Sequence, residues 1–425
     1  MGDKGFNSKF KGDGVIWIIF FFLCIISVIE VYSSSSGLTY KTDNYWAPVV
    51  KHCSLIIVGI VYMIATLNIK CKYFKLVTPF ALLLSIILLI AVLFASKTNG
   101  ASRWLEICGI PFQPSELAKG ALILAEAQIL SAMQTEKGAD PRAFTYILIV
   151  SACIIPLIFV ENFSTAFLLA LVVFIMMFIG RVPLKQLGRL MGIVILTGVI
   201  AVSAIWMIGD DESLDKNKEG VKTEYVAQGE VKEKSKLEKI LHRSSTWKSR
   251  IKKFLNSEKV APEDYDLDKD AQVAHANIAI VSSNIVGQMP GNSVERDFLS
   301  QAFSDFIYAI IIEELGILGA LAVCMAYIIL LFRTAIIANR CANTFPALLV
   351  MGFALLLVTQ AMFNMAVAVG LAPVTGQPLP LISKGGTSTI VNCVYIGVIL
   401  SVSHSAKKKD EVGKEQLTSR QPVTA

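Results

Sequence analysis

Ten apolar runs of near-bilayer length constrain this 425-residue chain more than any other feature. They fall at 15–33, 48–67, 76–96, 114–133, 144–161, 163–180, 188–208, 305–333, 345–371 and 388–404. A helix needs about 20 apolar residues to cross a hydrocarbon core, and in lipid each backbone polar group must be bonded within its own segment. The expected fold is therefore an all-α polytopic membrane protein with about ten transmembrane helices. Composition agrees, since charged residues make up 17% of the chain against roughly 25% in a soluble domain. The first run lacks a small-residue cleavage site after it and reads as an uncleaved anchor.

This division predicts an N-terminal tail over 1–14, helices one to seven over 15–208, a large loop over 209–304, helices eight to ten over 305–404 and a tail over 405–425. An even number of spans puts both tails on one side. Eighteen lysines and arginines fall on the tail side, from Lys4, Lys9 and Lys11 to Lys407, Lys408 and Lys409, against six on the short segments opposite. Basic residues mark the cytoplasmic face, so the tails are expected in the cytoplasm and the 209–304 loop outside it. The eight cysteines are scattered without a CxxC pair, which argues for small buried hydrophobes rather than a metal centre or disulfide framework.

Polar residues inside or beside apolar runs are costly and therefore informative. Ser304 and Asp305 open the eighth run, and Glu313 and Glu314 lie about 12 Å further along a helix. The first two residues equally suit a helix start, supplying an acceptor and a negative charge to free N–H groups. Before the fourth run stand Arg103 and Trp104, a fork for phosphate beside a flat apolar surface. Pro114, Ser115 and Glu116 suit that helix's first turn, and Lys119 lies at i+3 from Glu116, where it can pair with it or snorkel. The stretch 373–388 holds three prolines and three glycines and must be a structured loop. Within it Ser383, Lys384, Gly385 and Gly386 could form an anion nest, although a Gly-Gly pair more often only makes a turn. Gln360 and Asn364, at i and i+4, read as interhelical glue.

The loop is charge-rich from Asp210 to Lys239, then carries Arg243, Lys248, Arg250, Lys252 and Lys253 interleaved with Trp247 and Phe254. Nucleic acid is not available on that face, so a lipid-linked phosphate is the anionic partner to expect; a solvated amphipathic helix is the plainer alternative. From Ala271 the loop turns apolar, suggesting a helix against the bundle, and Gly287, Pro290 and Gly291 mark a turn. A carboxylate at Asp305 among Arg103, Lys119, Lys384, Arg243 and Arg250 suits sugar transfer from a phosphate-activated donor. The carboxylate would deprotonate the acceptor and the cations would hold the departing pyrophosphate.

Four ordered blocks, NGASRWLEICGIPFQPSELAK, GNSVERDFLSQAFSDFIYAIIIEELG, QAMFNMAVAVGLAPVTG and QPLPLISKGGTS, resemble the SEDS family (shape, elongation, division and sporulation) of bacterial peptidoglycan polymerases over roughly 15–404. NGASRW and AQVAHANIAI…GNSVERDFL look more like its division-type than its elongation-type members. The resemblance implies a lipid II glycosyltransferase in the bacterial inner membrane, working at the outer face and at the division septum. It places the essential aspartate at Asp305, the family's outer-loop tryptophan at Trp104 and its PSE-K lysine at Lys119. It also implies a class B penicillin-binding protein as transpeptidase partner, other division proteins, and Mg²⁺ or Mn²⁺ as a divalent cofactor that no ligand spacing here reveals. Many members carry Pro-Glu-Ala-His-Thr before the aspartate, where this chain has Ser300-Gln301-Ala302-Phe303-Ser304, and a common tyrosine is replaced by Lys384. Two rival readings fit ten spans: a lipid II flippase, which would want a midplane site between repeats, and a non-catalytic division scaffold.

Overall fold

The computed structural model describes residues 11–35, 46–94, 104–107, 110–208, 271–299 and 304–418. A helix covers each of the ten apolar runs to within a few residues: α1 (Gly14–Ser35), α2 (Ala47–Leu67), α3 (Lys72–Phe94), α4 (Pro114–Ala132), α5 (Pro141–Glu161), α6 (Phe163–Ile179), α7 (Leu184–Ile208), α9 (Ile307–Arg340), α10 (Thr344–Ala368) and α11 (Thr387–Thr418). An additional helix, α8 (Ala271–Ser282), and a 3₁₀ turn, Glu295–Asp297, precede α9. Seven helices, α1, α2, α3, α5, α9, α10 and α11, are long and apolar enough to cross a membrane. Of the others, α4 carries Glu116, Lys119 and Glu126, and α6 is only 17 residues long.

Helix ends follow local chemistry. Pro114 and Pro141 occupy first turns, where their missing N–H costs nothing. Asp140 Oδ1 accepts from Arg142 N at 2.8 Å, and Asn162 Oδ1 accepts from Thr165 N, so Asn162 closes α5 and caps α6. The runs were expected to stop with their apolar residues. Instead α3 begins at Lys72, α9 continues to Arg340 and α11 extends to Thr418 within the expected tail. Once a helix is nucleated each further residue adds a hydrogen bond, whatever its polarity.

The chain divides into two compact units, residues 1–187 with 266–425, and residues 188–265. In the first, α10 occupies the interior, with Leu349, Phe353, Leu357 and Ala361 buried along it. Phe353 stacks on Tyr395 of α11 at 4.7 Å. α11 lies close against α2, where a Cβ added at Gly397 would meet Met63 O at 2.7 Å. Large apolar side chains such as Val61, Leu76, Phe80 and Leu83 face outward instead, which a lipid solvent permits. Cys24 and Cys393 are buried as expected, but Cys153 is exposed on α5 and Cys53, Cys71, Cys324 and Cys341 are half-buried. An apolar residue type need not be internal when its solvent is lipid. Of the second unit, the described part is 188–208, which belongs to α7.

The eighth run is not one uninterrupted helix. α9 breaks at Gly316 (φ 69°, ψ −175°), a backbone state suited to glycine. The groups released by the break are taken up by the segment before α9. Gln288 N and Met289 N donate to the carbonyls of Glu313 and Glu314, each at 2.9 Å, and Ile317 N and Leu318 N donate to Asn284 and Ile285 carbonyls. The part after the break, 317–340, still covers about 36 Å at 1.5 Å per residue, more than the roughly 30 Å hydrocarbon core. Glu313 and Glu314 stand on the N-terminal side of the break. α8 lies against the start of α9 as expected, with Ala276, Ala279, Leu299, Phe306, Ala309 and Ile310 forming one apolar cluster.

Candidate active site

Asp305 lies in a turn over 304–306, two residues before α9, and is half-buried. Its carboxylate accepts from the Ser304 hydroxyl at 3.0 Å. Its main chain is clamped from α10 and the α10–α11 loop. Asn364 Nδ2 donates to Asp305 O at 2.9 Å and to Gln377 O at 2.6 Å, while Ser383 Oγ donates to Ser304 O at 2.6 Å and accepts from Leu379 N at 2.7 Å. Ser383, a candidate substrate ligand by sequence, thus orders the loop and the aspartate turn. Gln377 Nε2 continues outward to Thr165 Oγ1 of α6 at 2.7 Å. The glue expected of Gln360 and Asn364 is present, and it joins α4, α10, the loop and the Asp305 turn.

Lys119 neither snorkels nor stands open. It is buried on α4, 2.9 Å from Glu116 Oε2, and donates to Gln360 Oε1 at 2.8 Å. Gln360 in turn donates from Nε2 to Pro378 O at 3.0 Å. Because Gln360 and Asn364 are one turn apart, Lys119 and Asp305 are anchored to the same face of α10. Trp104 is half-buried and leads into a hairpin of Leu105–Ile107 against Ile110–Phe112, which ends at the α4 N-terminus. Thr387 Oγ1 donates to Pro111 O at 3.1 Å and holds that hairpin to α11.

Lys384 is half-buried in the α10–α11 loop. Burial and the neighbouring Lys51 ammonium hold it below the ordinary lysine range. The adjoining glycines make a turn, Ser388 N donating to Gly385 O at 3.1 Å. Arg103, Arg243 and Arg250 lie outside the described residues, as does the charge-rich stretch 210–239. Among the described residues no group of three or more His, Cys, Asp or Glu side chains converges to hold a metal ion.

Two carboxylates escaped the sequence reading. Glu30 on α1 and Glu126 on α4 are buried, and no oxygen of either has a hydrogen-bond partner. The signal was present: IISVIEVYSS and LILAEAQIL each set one acid in an apolar run.

The family model for FtsW/RodA/SpoVE cell cycle proteins matches residues 13–408. The chain belongs to the FtsW/RodA/SpoVE family. A probable peptidoglycan glycosyltransferase FtsW of Trichlorobacter lovleyi is 27% identical over 409 residues, 95% of this chain and 96% of that protein. Peptidoglycan glycosyltransferase MrdB of Escherichia coli K12 is 25% identical over 411 residues, again 95% of this chain and 96% of its relative. Among solved structures, a chain of a peptidoglycan synthase complex superposes with a TM-score of 0.68 at 20% identity, covering 93% of this chain and 98% of its own. The rod shape determining protein RodA of Thermus thermophilus gives 0.59 at 19% identity over 92% and 96%. These likenesses establish the FtsW/RodA/SpoVE fold for the helical bundle. The matched range takes in the Asp305 turn, the Glu116–Lys119 pair and the Lys384 loop alike.

Proposed function

We propose that this FtsW/RodA/SpoVE member is a peptidoglycan glycosyltransferase that polymerises lipid II into β-1,4 glycan strands, with Asp305 as general base. The observation that carries the reading is the Asp305 turn itself. A half-exposed carboxylate is held by its main chain at the end of the bundle, outside the spanning segments, where a lipid-linked sugar can reach it. The names of the relatives, peptidoglycan glycosyltransferases FtsW and MrdB, supply the substrate class.

In this reaction Asp305 takes the proton of the acceptor sugar hydroxyl as its oxygen attacks the donor's anomeric carbon from the face opposite the pyrophosphate. The anomeric C–O bond breaks, and undecaprenyl pyrophosphate leaves with the bonding pair. The configuration inverts to β. Lys384, with Lys51 beside it, steadies the pyrophosphate charge, as would Arg103, Arg243 and Arg250. Trp104 offers a flat apolar surface beside them. Lys119 acts one step back, through Gln360 and the loop. The described residues offer Mg²⁺ or Mn²⁺ no cage of converging acids or histidines, so no step is derived through a metal.

The charge bias of the loops supports cytoplasmic termini and a site at the outer face of the inner membrane. A class B penicillin-binding protein is the proposed transpeptidase partner, in keeping with the synthase complex among the similar structures. A septal, division role is supported by NGASRW and GNSVERDFL.

The deciding experiment is polymerisation of labelled lipid II by purified protein, with and without its penicillin-binding protein and with and without Mg²⁺. Wild type should make glycan chains and Asp305→Asn should make none while remaining folded. Normal polymer yield from Asp305→Asn would sink the base assignment. Absence of polymer in all conditions, with labelled lipid II crossing sealed vesicles, would replace the reading with a flippase.

A further inference from the structure

The α10–α11 loop that carries Lys384 is held by side chains of several helices. Asn364 and Gln360 of α10 donate to the carbonyls of Gln377 and Pro378 at 2.6 and 3.0 Å. The Tyr327 hydroxyl of α9 donates to Pro380 O. The next anchored carbonyl, that of Ile382, accepts from Ser27 Oγ of α1 at 2.6 Å. Ser27 is fully buried and meets His52 Nε2 of α2, also buried, at 2.8 Å. Two helices that contribute nothing else to the proposed reaction thus reach the loop two residues before Lys384.

A serine hydroxyl has a single hydrogen. Ser27 gives it to Ile382 O, so in the Ser27–His52 contact the imidazole must be the donor, with its hydrogen on Nε2. His52 therefore fixes the direction in which the Ser27 hydroxyl points. Between the Pro380 and Ile382 carbonyls stands Leu381, buried at a φ of 68°. A leucine keeps such a left-handed state only where its surroundings hold it, and Tyr327 and Ser27 are the restraints on either side. The Ile382 carbonyl belongs to the peptide plane that leads into Ser383, so its rotation re-aims Lys384. The Asp305 turn is restrained separately, by Asn364 on the Asp305 carbonyl and Ser383 Oγ on the Ser304 carbonyl.

We propose that Ser27, oriented by His52, is a positioning residue for Lys384 and acts through the Ile382 carbonyl. The proposal rests on the reading of Lys384 as a ligand of the lipid II pyrophosphate. In that role Lys384 holds the pyrophosphate both before and during transfer. Loss of its position removes uniform binding, which raises KM and leaves kcat in place.

Polymerisation of labelled lipid II by purified full-length protein with its penicillin-binding protein tests this, together with hydrogen exchange. Ser27→Ala and His52→Leu should each raise KM for lipid II several-fold with kcat near wild type. His52→Gln, which keeps an N–H donor near the place of Nε2, should restore KM. In a Lys384→Met background Ser27→Ala should add nothing further, because two changes acting through one group are not additive. Exchange at the Ile382 and Ser383 amides, both bonded to Leu379 O, should rise in Ser27→Ala. Unchanged exchange there, or a KM effect that adds to that of Lys384→Met, would overturn the proposal and leave the reaction standing. A loss of kcat with a lowered melting temperature and unchanged KM would also overturn it, making Ser27 a packing residue. Should Ser27→Ala fail to fold, the His52 variants decide, His52→Gln recovering what His52→Leu loses. Absence of polymer from wild type would instead overturn the glycosyltransferase reading, and this proposal with it.

Discussion

Asn364 Nδ2 reaches the main-chain carbonyl of Asp305 at 2.9 Å and that of Gln377 at 2.6 Å. One amide on a buried helix thereby sets the distance between the aspartate turn and the α10–α11 loop. The position of the Asp305 turn is thus fixed through its backbone.

Asn364→Ala should therefore impair turnover without unfolding the bundle. Losing a buried donor leaves two carbonyls unanswered, a cost of about 1–3 kcal/mol. A misplaced reacting group can lower the rate by about 10²-fold. Melting temperature and lipid II polymerisation measured on the same preparation separate the two effects; unchanged turnover would remove Asn364 from the positioning role.

Glu116 and Lys119 are an ion pair with side chains 3% exposed each. Removing one partner leaves the other charge buried, at about 3–5 kcal/mol. Lys119→Met should accordingly lower the melting temperature steeply, and Glu116→Gln combined with Lys119→Met should recover most of the loss. Polymerisation by the double variant then reports what Lys119 does beyond pairing. Equal melting of the single and double variants would show that the pair is not coupled.

Lys384 is held below the ordinary lysine range, so its charge is lost at a lower pH in the folded chain than in the unfolded one. Between those two values the unfolded state binds the extra proton, and stability rises with pH. Lys384→Met should abolish that rise, while retention of the pyrophosphate by wild type should weaken over the same alkaline window. Thermal melts and binding of labelled lipid II across that range provide the check, and superimposable wild-type and variant melting profiles would contradict it.

Gly316→Ala should be severely destabilising. The added Cβ would lie 2.4 Å from Gly287 N and from Ile285 O, at a φ of 69° that alanine tolerates poorly. Strain of about 1–3 kcal/mol adds to the displacement of the docked segment. Hydrogen exchange at residues 284–289 should rise in the variant, and unchanged protection there would show that the break is not what holds them.

Cys71, in the turn between α2 and α3, has its thiol pushed up to about 11 by burial and by Cys341, with Lys75 opposing. Because the thiolate is the reactive form, alkylation of Cys71 near pH 8 should be slow in folded protein and fast after denaturation. Site-resolved mass spectrometry distinguishes it from Cys153, which is exposed.

Much of this architecture was legible in the chain. Ten apolar runs specify ten helices because each run must satisfy its own backbone in lipid, and the ordered blocks around Asp305, Lys119 and Lys384 name the elements that carry the site. Gly287, Pro290 and Gly291 announced a turn, but not that its backbone would fill a break in α9. An acid–lysine spacing of i+3 announced the Glu116–Lys119 pair, yet Gln360 as their third partner lies 241 residues away in sequence. Ser33 and Glu314, hydrogen-bonded to one another, are further apart still, and nothing local to either implies the other. Spans, their order and the charge asymmetry of the loops are local properties of hydropathy and helix geometry, so the sequence by itself determined them. Which polar groups share a buried face depends on helix rotation and on contacts between distant segments. Only the tertiary structure decided that Asn364 would clamp Asp305, that Lys119 would turn inward, and that residues 284–289 would fill the break at Gly316.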